Sequence, residues 1–64
     1  MKKYHFIIDK INKNQKLRKI FLDKYKNYPP HISDIFVVIG GDGFMLKSLK
    51  KYQKYNKPFY GINS

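Results

Sequence analysis

The chain contains no cysteine among its 64 residues, which excludes disulfides and thiolate metal sites. Its two histidines, His5 and His31, are far apart in the sequence, so we do not expect a zinc site. No apolar run approaches the ~20 residues of a membrane-spanning helix. The basic start is followed by a short apolar segment that ends at Asp9, which argues against a signal peptide. These absences predict a cytoplasmic chain with no membrane partner.

Acidic side chains are also few, with four against fourteen lysines and arginines, giving a formal charge of +10. Arg18 is the single arginine, although the arginine fork is the side chain best suited to phosphate and base recognition. We therefore interpret the lysines mainly as a solvated surface. Non-specific attraction of polyanions and a dedicated nucleic-acid site are the alternatives.

Apolar segments separated by helix breakers predict alternating strands and helices. The segments Tyr4–Ile8, Ile35–Ile39 and Phe59–Ile62 read as short strands. Two stretches with apolar residues at three- and four-residue steps lie between them and predict amphipathic helices. The predicted apolar stripes are Leu17, Ile20, Phe21 and Tyr25 in the first helix, and Met45, Leu46, Leu49 and Tyr52 in the second.

The ends of the two helices are also indicated by residue type. Asn12 or Asn14 could cap the first helix, and the prolines within Asn27–Pro30 and Asn56–Pro58 end the helices. The resulting order, β-α-β-α-β, predicts parallel strands joined by right-handed crossovers. We therefore expect a Rossmann-like α/β half-domain that occupies residues 1–64 as one unit.

A glycine-rich turn follows the second predicted strand, Ile35–Ile39, whose apolar residues suit burial on both faces. Gly40, Gly41 and Gly43 allow backbone angles and a close ligand approach that a Cβ atom would forbid. Asp42 is the one charge in this turn, where open α/β sheets bind their ligands. A simple strand-to-helix turn is the alternative, and the spacing matches neither the dinucleotide fingerprint nor the P-loop. We favour a nucleotide site in which Asp42 acts on a hydroxyl or on a metal.

The segment Gly40–Leu46 together with Lys57–Asn63 resembles the N-terminal domain of the NAD kinases. The match is most similar to a bacterial branch with a shortened N-terminal domain, and it covers nearly the whole chain. The Gly-Gly-Asp-Gly element also occurs in diacylglycerol kinases and phosphofructokinases. The second motif, at the family's spacing, favours the NAD kinases.

This resemblance implies an activity, cofactors and partners. The family uses ATP and a divalent metal cation, with Mg²⁺ expected, to phosphorylate the 2′-hydroxyl of the adenosine ribose of NAD and so make NADP. Asp42 would be the proton acceptor for that hydroxyl. The other positions implied in nucleotide binding are Gly40, Gly41, Gly43, Lys47 and Asn63.

Family members continue with a larger β-rich domain, so the resemblance implies an N-terminal fragment that is inactive alone and belongs to a homo-oligomer when full length. Two other functions stay open: a small lysine-rich protein that binds nucleic acid, and a fragment of another kinase that shares the glycine motif. Asp9 and Lys10 could face the same cleft, although solvated positions at a strand end suit them better. We expect His5 to be packed or surface-exposed rather than catalytic. Most of the six tyrosines and five phenylalanines should pack in the core rather than form a stacking platform.

Overall fold

A computed structural model of the chain describes residues 2–10 and 15–63. Its elements are the strands β1 (Tyr4–Ile8), β2 (Ile35–Gly40) and β3 (Phe59–Asn63), and the helices α1 (Gln15–Lys24) and α2 (Asp42–Tyr52). The strands are parallel and lie in the order β1-β2-β3. The α/β fold class and the order of elements are therefore confirmed. The predicted caps Asn12 and Asn14 lie outside the described residues.

Strand β2 lies at the centre of the sheet and forms its core. Phe36 and Ile39 are completely inaccessible to solvent, as the unbroken apolar run predicts for a strand covered on both faces. Val37 is level with Phe6 of β1. Because side chains alternate along a strand, Val37 and Ile39 project from one face of the sheet, and Phe36 from the other.

Helix α1 packs on the face that carries Phe6, Val37 and Ile39. The α1 side chains in contact with this cluster are Leu17, Phe21 and Leu22. Ile20, which the predicted stripe placed in the core, is 56% exposed, so that prediction is wrong. The aromatic ring of Phe21 packs 5.6 Å from that of Phe6, and this contact fixes the rotation of the helix so that Leu22 replaces Ile20.

Helix α2 packs on the opposite face. The predicted stripe is wrong for Leu46 and Leu49, which are 60% and 40% exposed. The glycines of the sheet explain the difference. Their missing side chains leave room for Phe44, whose ring lies against Gly40, and for Met45, whose sulfur lies against Gly61. The residues of α2 that face the sheet are Phe44, Met45, Ser48 and Tyr52.

The connection from β1 to β2 is not the single crossover that the sequence predicts. After α1 the chain returns beside β1, where Asn27 forms a parallel bridge with Tyr4. The amide of Tyr28 donates to the carbonyl oxygen of Tyr4 at 2.9 Å, and the side-chain oxygen of Asn27 accepts from the amide of Phe6 at 3.0 Å. Since backbone groups alternate between the two edges of a strand, this contact lies on the edge of β1 away from β2.

The two helices end before the prolines that the sequence marks as breakers. Helix α1 ends at Lys24, and a 3-10 turn, Gln53–Tyr55, follows α2. Asn56 then adopts the left-handed conformation at φ 53°, and its amide donates a hydrogen bond to the carbonyl oxygen of Gln53. Within residues 2–10 and 15–63, the helices are too short and too polar to span a bilayer.

Candidate functional site

The glycine motif lies at the carboxyl end of β2, where α2 begins. Gly41 is the N-cap residue, in an extended conformation, and Asp42 is the first residue of the helix. The amide of Met45 closes the first turn by donating to the carbonyl oxygen of Gly41 at 2.9 Å. The preceding amides of the first turn have no partner within a helix, and they carry partial positive charge. This end of the sheet therefore offers donors to an anion.

Asp42 and Asn63 meet across the ends of two neighbouring strands. Asn63 is the last residue of β3 and lies level with Gly40 in the β2–β3 register. Its side-chain Nδ2 donates to Oδ1 of Asp42 at 3.3 Å, and both side chains are exposed. The structure thus brings together two of the predicted site residues, and the amide holds one oxygen of the carboxylate.

The glycines of the motif differ in what they do. None of the described glycines has a positive φ, so Gly40, Gly41 and Gly43 do not use the backbone angles that only glycine adopts easily. Gly40 is needed for packing, because a Cβ atom there would lie 2.5 Å from Cδ2 of Phe44. A Cβ atom on Gly41 or on Gly43 would meet nothing within 4 Å. Packing therefore does not explain these two glycines, and they leave the surface beside Asp42 open.

Lys47 is exposed on α2, one turn beyond Gly43 and on the same side of the helix. It does not share the side of Asp42, which precedes it by five residues. The Cα–Cβ bonds of a helix tilt towards its N-terminus, so the long side chain of Lys47 can extend towards Gly43. By this spacing Lys47 lies one turn from the open glycine surface and on a different side of the helix from the carboxylate.

Asp9, a weaker candidate of the sequence, lies at the same end of the sheet. Its amide donates to the carbonyl oxygen of Ile39 at 2.9 Å, and its Cβ atom is 3.2 Å from where a Cβ atom of Gly40 would stand. The side chain is half-buried. Asp9 is thus a neighbour of the glycine motif and lies on the β1 side of it.

The topology makes this location a switch point of the sheet. From β1 the chain leaves through α1 towards Asn27 on one side, and from β2 it leaves through α2 towards β3 on the other. The two helices lie on opposite faces, which right-handed crossovers in opposite directions require. A crevice for ligands forms outside the carboxyl ends of strands where such connections diverge. Asp9 and the glycine motif flank this crevice.

The other sequence candidates have structural roles. His5 is half-buried, its ring contacts Phe36 and Tyr52, and its Nδ1 lies 2.8 Å from the carbonyl oxygen of Tyr28. His31 is exposed. Most of the aromatic side chains pack against one another as predicted, whereas Tyr60 is 60% exposed. In the part of the chain that the structure describes, no three His, Asp or Glu side chains are grouped to hold a metal.

Phe44 is the site residue whose role the sequence did not indicate. Its ring covers Gly40, and its carbonyl oxygen accepts a hydrogen bond from the buried hydroxyl of Ser48 at 2.8 Å. Phe44 therefore seats the first turn of α2 on the sheet and fixes the position of Asp42. An aromatic residue one turn after a strand-end glycine is the pattern that could have indicated this.

Comparison with known proteins finds several NAD kinases. The chain is 32% identical over 59 residues to the NAD kinase of Brucella suis, a match that covers 92% of the chain and 23% of the relative. It is 35% identical over 48 residues to the NAD kinase of Xylella fastidiosa, a match that covers 75% of the chain and 18% of the relative. It is 45% identical over 31 residues to the NAD kinase of Rickettsia rickettsii, and this match covers 48% of the chain and 12% of the relative.

No family model matches the chain, and no solved structure matches it. The chain spans less than a quarter of the length of these relatives, 23% in the longest of the three matches. That longest match includes all but a few residues of the chain. The chain is thus similar to NAD kinases over most of its own length.

Proposed function

We propose that the chain is the amino-terminal nucleotide-binding part of an NAD kinase, with residues 1–64 belonging to that domain. Such an enzyme would transfer a phosphoryl group from ATP to the 2′-hydroxyl of the adenosine ribose of NAD. The observation that carries this proposal is the hydrogen bond between Asn63 and Asp42, because it joins two motifs from neighbouring strands at the carboxyl edge of the sheet, beside its switch point. The similarity to NAD kinases supports the same assignment.

Asp42 is the residue that we propose as the proton acceptor. Its side chain is exposed at the start of α2, so a substrate hydroxyl can reach it. Asn63 binds Oδ1 and thereby limits rotation of the carboxylate, while the second oxygen remains available to a hydroxyl. A positioned carboxylate that accepts a proton in the transition state contributes about 10²- to 10⁴-fold to a rate.

Nucleotide phosphates would bind beside this carboxylate. The open surface over Gly41 and Gly43 lets phosphate oxygens approach the amides at the start of α2. Gly40 allows the helix to sit close to β2, and Lys47 supplies a positive charge on the Gly43 side. Phosphoryl transfer depends mainly on positioning and on charge stabilisation, and these residues can provide both.

The Mg²⁺ that ATP would carry fits this site without a protein-built metal cage. Mg²⁺ is commonly held by one or two carboxylates together with substrate phosphates, so the phosphates would supply most of its ligands while Asp42 serves the hydroxyl. When bound, the ion neutralises charge that develops on the phosphates. The described residues then have the tasks of orienting the nucleotide and accepting the proton.

A chimera tests the proposed function. The segment of the Brucella suis NAD kinase that matches this chain would be replaced by the chain itself, and NADP formation would be measured with NAD, ATP and Mg²⁺. We expect activity, and we expect Asp42→Asn to lower it by about 10²-fold or more. The matched control is Asp23→Asn. Asp23 is also an exposed aspartate but lies on α1, away from the site, so this variant should leave NADP formation unchanged. A folded chimera without activity, or equal effects of the two variants, would contradict the proposal.

The isolated chain should not convert NAD to NADP. Positioning of both substrates can supply about 7–11 kcal/mol of a barrier reduction, and the described site offers few residues that could hold NAD against Asp42. NADP formation by the purified chain is the measurement. A turnover of about 1–100 per second, as in typical kinases, would show that these residues suffice.

A further inference from the structure

Helix α2 rests on the sheet at two glycines that lie on neighbouring strands. Phe44 covers Gly40 of β2. On β3, a Cβ atom added to Gly61 would lie 3.2 Å from the sulfur and 3.5 Å from the Cε atom of Met45. An unbranched thioether is suited to such a narrow space, because it adapts its shape to the gap. The first contact therefore sets the position of α2 over β2, and the second sets its position over β3.

The contact between Met45 and Gly61 lies one step from the hydrogen bond between Asp42 and Asn63. Along α2, Met45 follows Asp42 by three residues, which is about 4.5 Å of helix, and lies on nearly the same side. Along β3, Gly61 precedes Asn63 by two residues, which is about 6.6 Å of strand, and lies on the same face of the sheet. The contact and the hydrogen bond thus join the same helix to the same strand.

The hydrogen bond by itself is too weak to hold α2 and β3 at a fixed separation. Nδ2 of Asn63 lies 3.3 Å from Oδ1 of Asp42, and both side chains are exposed. A protein hydrogen bond contributes about 0.5–1.5 kcal/mol net, and water can replace either partner of an exposed one. The geometry of this pair therefore depends on the packing next to it.

The contact of Phe44 with Gly40 does not fix this geometry alone. A helix held at one point can rock about that point, and rocking would move Asp42 relative to Asn63 while the ring stays on β2. A second contact on another strand removes this freedom. The half-buried side chain of Met45 supplies such a contact on β3.

We propose that Met45 is a positioning residue for Asp42. Seated on Gly61, its side chain sets the separation between α2 and β3 at which Asn63 can hold one oxygen of the carboxylate. This role rests on the proposed function, in which Asp42 accepts the proton of the substrate hydroxyl. Because Met45 acts on the orientation of a base, its loss should lower kcat more than it changes KM.

The geometry can be tested without catalysis, by NMR of the complete ¹⁵N-labelled chain at about 15 °C, near the stability maximum of small domains. Asp42→Ala gives the positions of the Asn63 side-chain amide signals without the hydrogen bond. We expect Met45→Ala to move these signals towards those positions, and Met45→Leu, which nearly conserves volume, to leave them in place. Leu49→Ala is the matched control, because it truncates a 40% exposed side chain of the same helix, and it should not move them.

A second variant disturbs the same contact from the strand. Gly61→Val keeps Met45, and valine suits a β-strand, but its methyl groups occupy the space of the sulfur. We expect this variant to move the Asn63 signals in the same direction as Met45→Ala. It therefore tests the contact even if Met45→Ala does not fold.

The role in catalysis is tested in the chimera with the Brucella suis NAD kinase. Met45→Ala and Gly61→Val should each lower kcat about tenfold, which is part of what a positioned base contributes, with little change in KM. Met45→Leu should retain most of the activity. In an Asp42→Asn chimera, Met45→Ala should lower kcat little further, because residues that act as a unit are not additive. A purely structural effect would lower kcat by the same factor in both chimeras.

Two results would overturn the role of Met45. One is that the Asn63 signals stay in place in both Met45→Ala and Gly61→Val. The other is an equal loss of kcat from Met45→Ala with and without the Asp42 carboxylate. A failure of the proposed function has a different signature, since Asp42→Asn would then leave the chimera fully active. That result would also remove the catalytic role of Met45, even if the Asn63 signals move as expected.

Discussion

The two faces of the sheet are built from similar residues but are closed to different degrees. On the α2 face, the ring of Phe36 contacts four other rings, those of His5, Tyr52, Tyr55 and Phe59. On the α1 face, Phe21 and Tyr25 stack at 6.2 Å, yet no residue of α1 is fully buried. Aromatic side chains thus enclose Phe36 on the α2 face, whereas on the α1 face Phe6 is buried and Tyr25 and Tyr60 stay exposed.

This difference teaches that the covering connection, more than the apolar content of the strands, determines how much a sheet buries. Helix α2 runs from β2 to its neighbour β3 and must pass over both strands. Helix α1 runs from β1 to Asn27 on the outer edge, so β3 is the strand left open on that face, with Tyr60 60% exposed. The ring cluster around Phe36 should therefore contribute more to stability than the half-buried ring of Phe21.

The largest expected effect comes from truncating the centre of the closed face. Phe36→Ala should cost about 3–5 kcal/mol, as for other fully buried aromatic residues. Phe21→Ala should cost less, about 1–2 kcal/mol, because Phe21 is only half-buried. Urea unfolding followed by circular dichroism measures the loss in Phe21→Ala and shows whether Phe36→Ala still unfolds cooperatively. Equal losses would show that the two faces contribute alike.

The same unfolding experiment tests how much stability the open face leaves to the chain. We expect the unchanged chain to unfold with less than about 5 kcal/mol, or to self-associate through the edge strand β3. Phe36→Ala would then show no cooperative transition. A cooperative transition above about 5 kcal/mol at low concentration would show that the chain is a complete domain although Tyr25 and Tyr60 stay exposed.

A smaller effect should separate two glycines on the α2 side of the sheet. Gly40→Ala would place its Cβ atom 2.5 Å from the Phe44 ring, and the overpacking should cost about 1–3 kcal/mol. Gly43→Ala meets no atom within 4 Å and lies in a helix, so it should gain up to about 1 kcal/mol. Thermal unfolding of the two variants measures both changes in stability. In the chimera, Gly43→Ala should still lower activity, because the added methyl group occupies the proposed phosphate surface. Full activity would contradict that role.

The smallest effect concerns the lysines as a whole. Binding to a DNA oligonucleotide should be weak, independent of sequence, and lost as salt rises from about 50 to about 200 mM. Charge reversal at Lys24 and Lys26 should weaken it no more than reversal at Lys50 and Lys51, because a diffuse field follows total charge. Anisotropy titrations at two salt concentrations measure this. Tight, sequence-selective binding at physiological salt would instead favour a nucleic-acid function.

The fold was predictable where residue type alone determines the structure. The unbroken run Ile35–Ile39 predicted the central strand, and the glycines after it predicted the turn into α2. The buried stripe of α2 was not predictable, because the spaces over Gly40 and Gly61 select the residues that face the sheet. A single bridge at Asn27 leaves no periodic pattern in the sequence, so the path between β1 and β2 was also missed.

The candidate site was predictable in position but not in detail. The order of elements places Asp42 at the carboxyl edge of the sheet, and resemblance to a family pointed to Asn63. Neither the sequence pattern nor the spacing shows that these two side chains touch. The different demands on Gly40 and Gly43 depend on the position of one ring, that of Phe44, and a ring's position follows from packing.

The lone bridge at Asn27 has a consequence for how the molecule opens. Asn27 follows α1 closely in the chain, so detachment of the helix would also release the hydrogen bonds at the amides of Phe6 and Tyr28. The segment from α1 to Tyr28 should therefore behave as one cooperative unit in hydrogen exchange, with a single low protection level. The central amides of β2 would keep their protons until the whole sheet unfolds, so isotope labelling would divide this small chain into an early-opening arm and a late-opening centre.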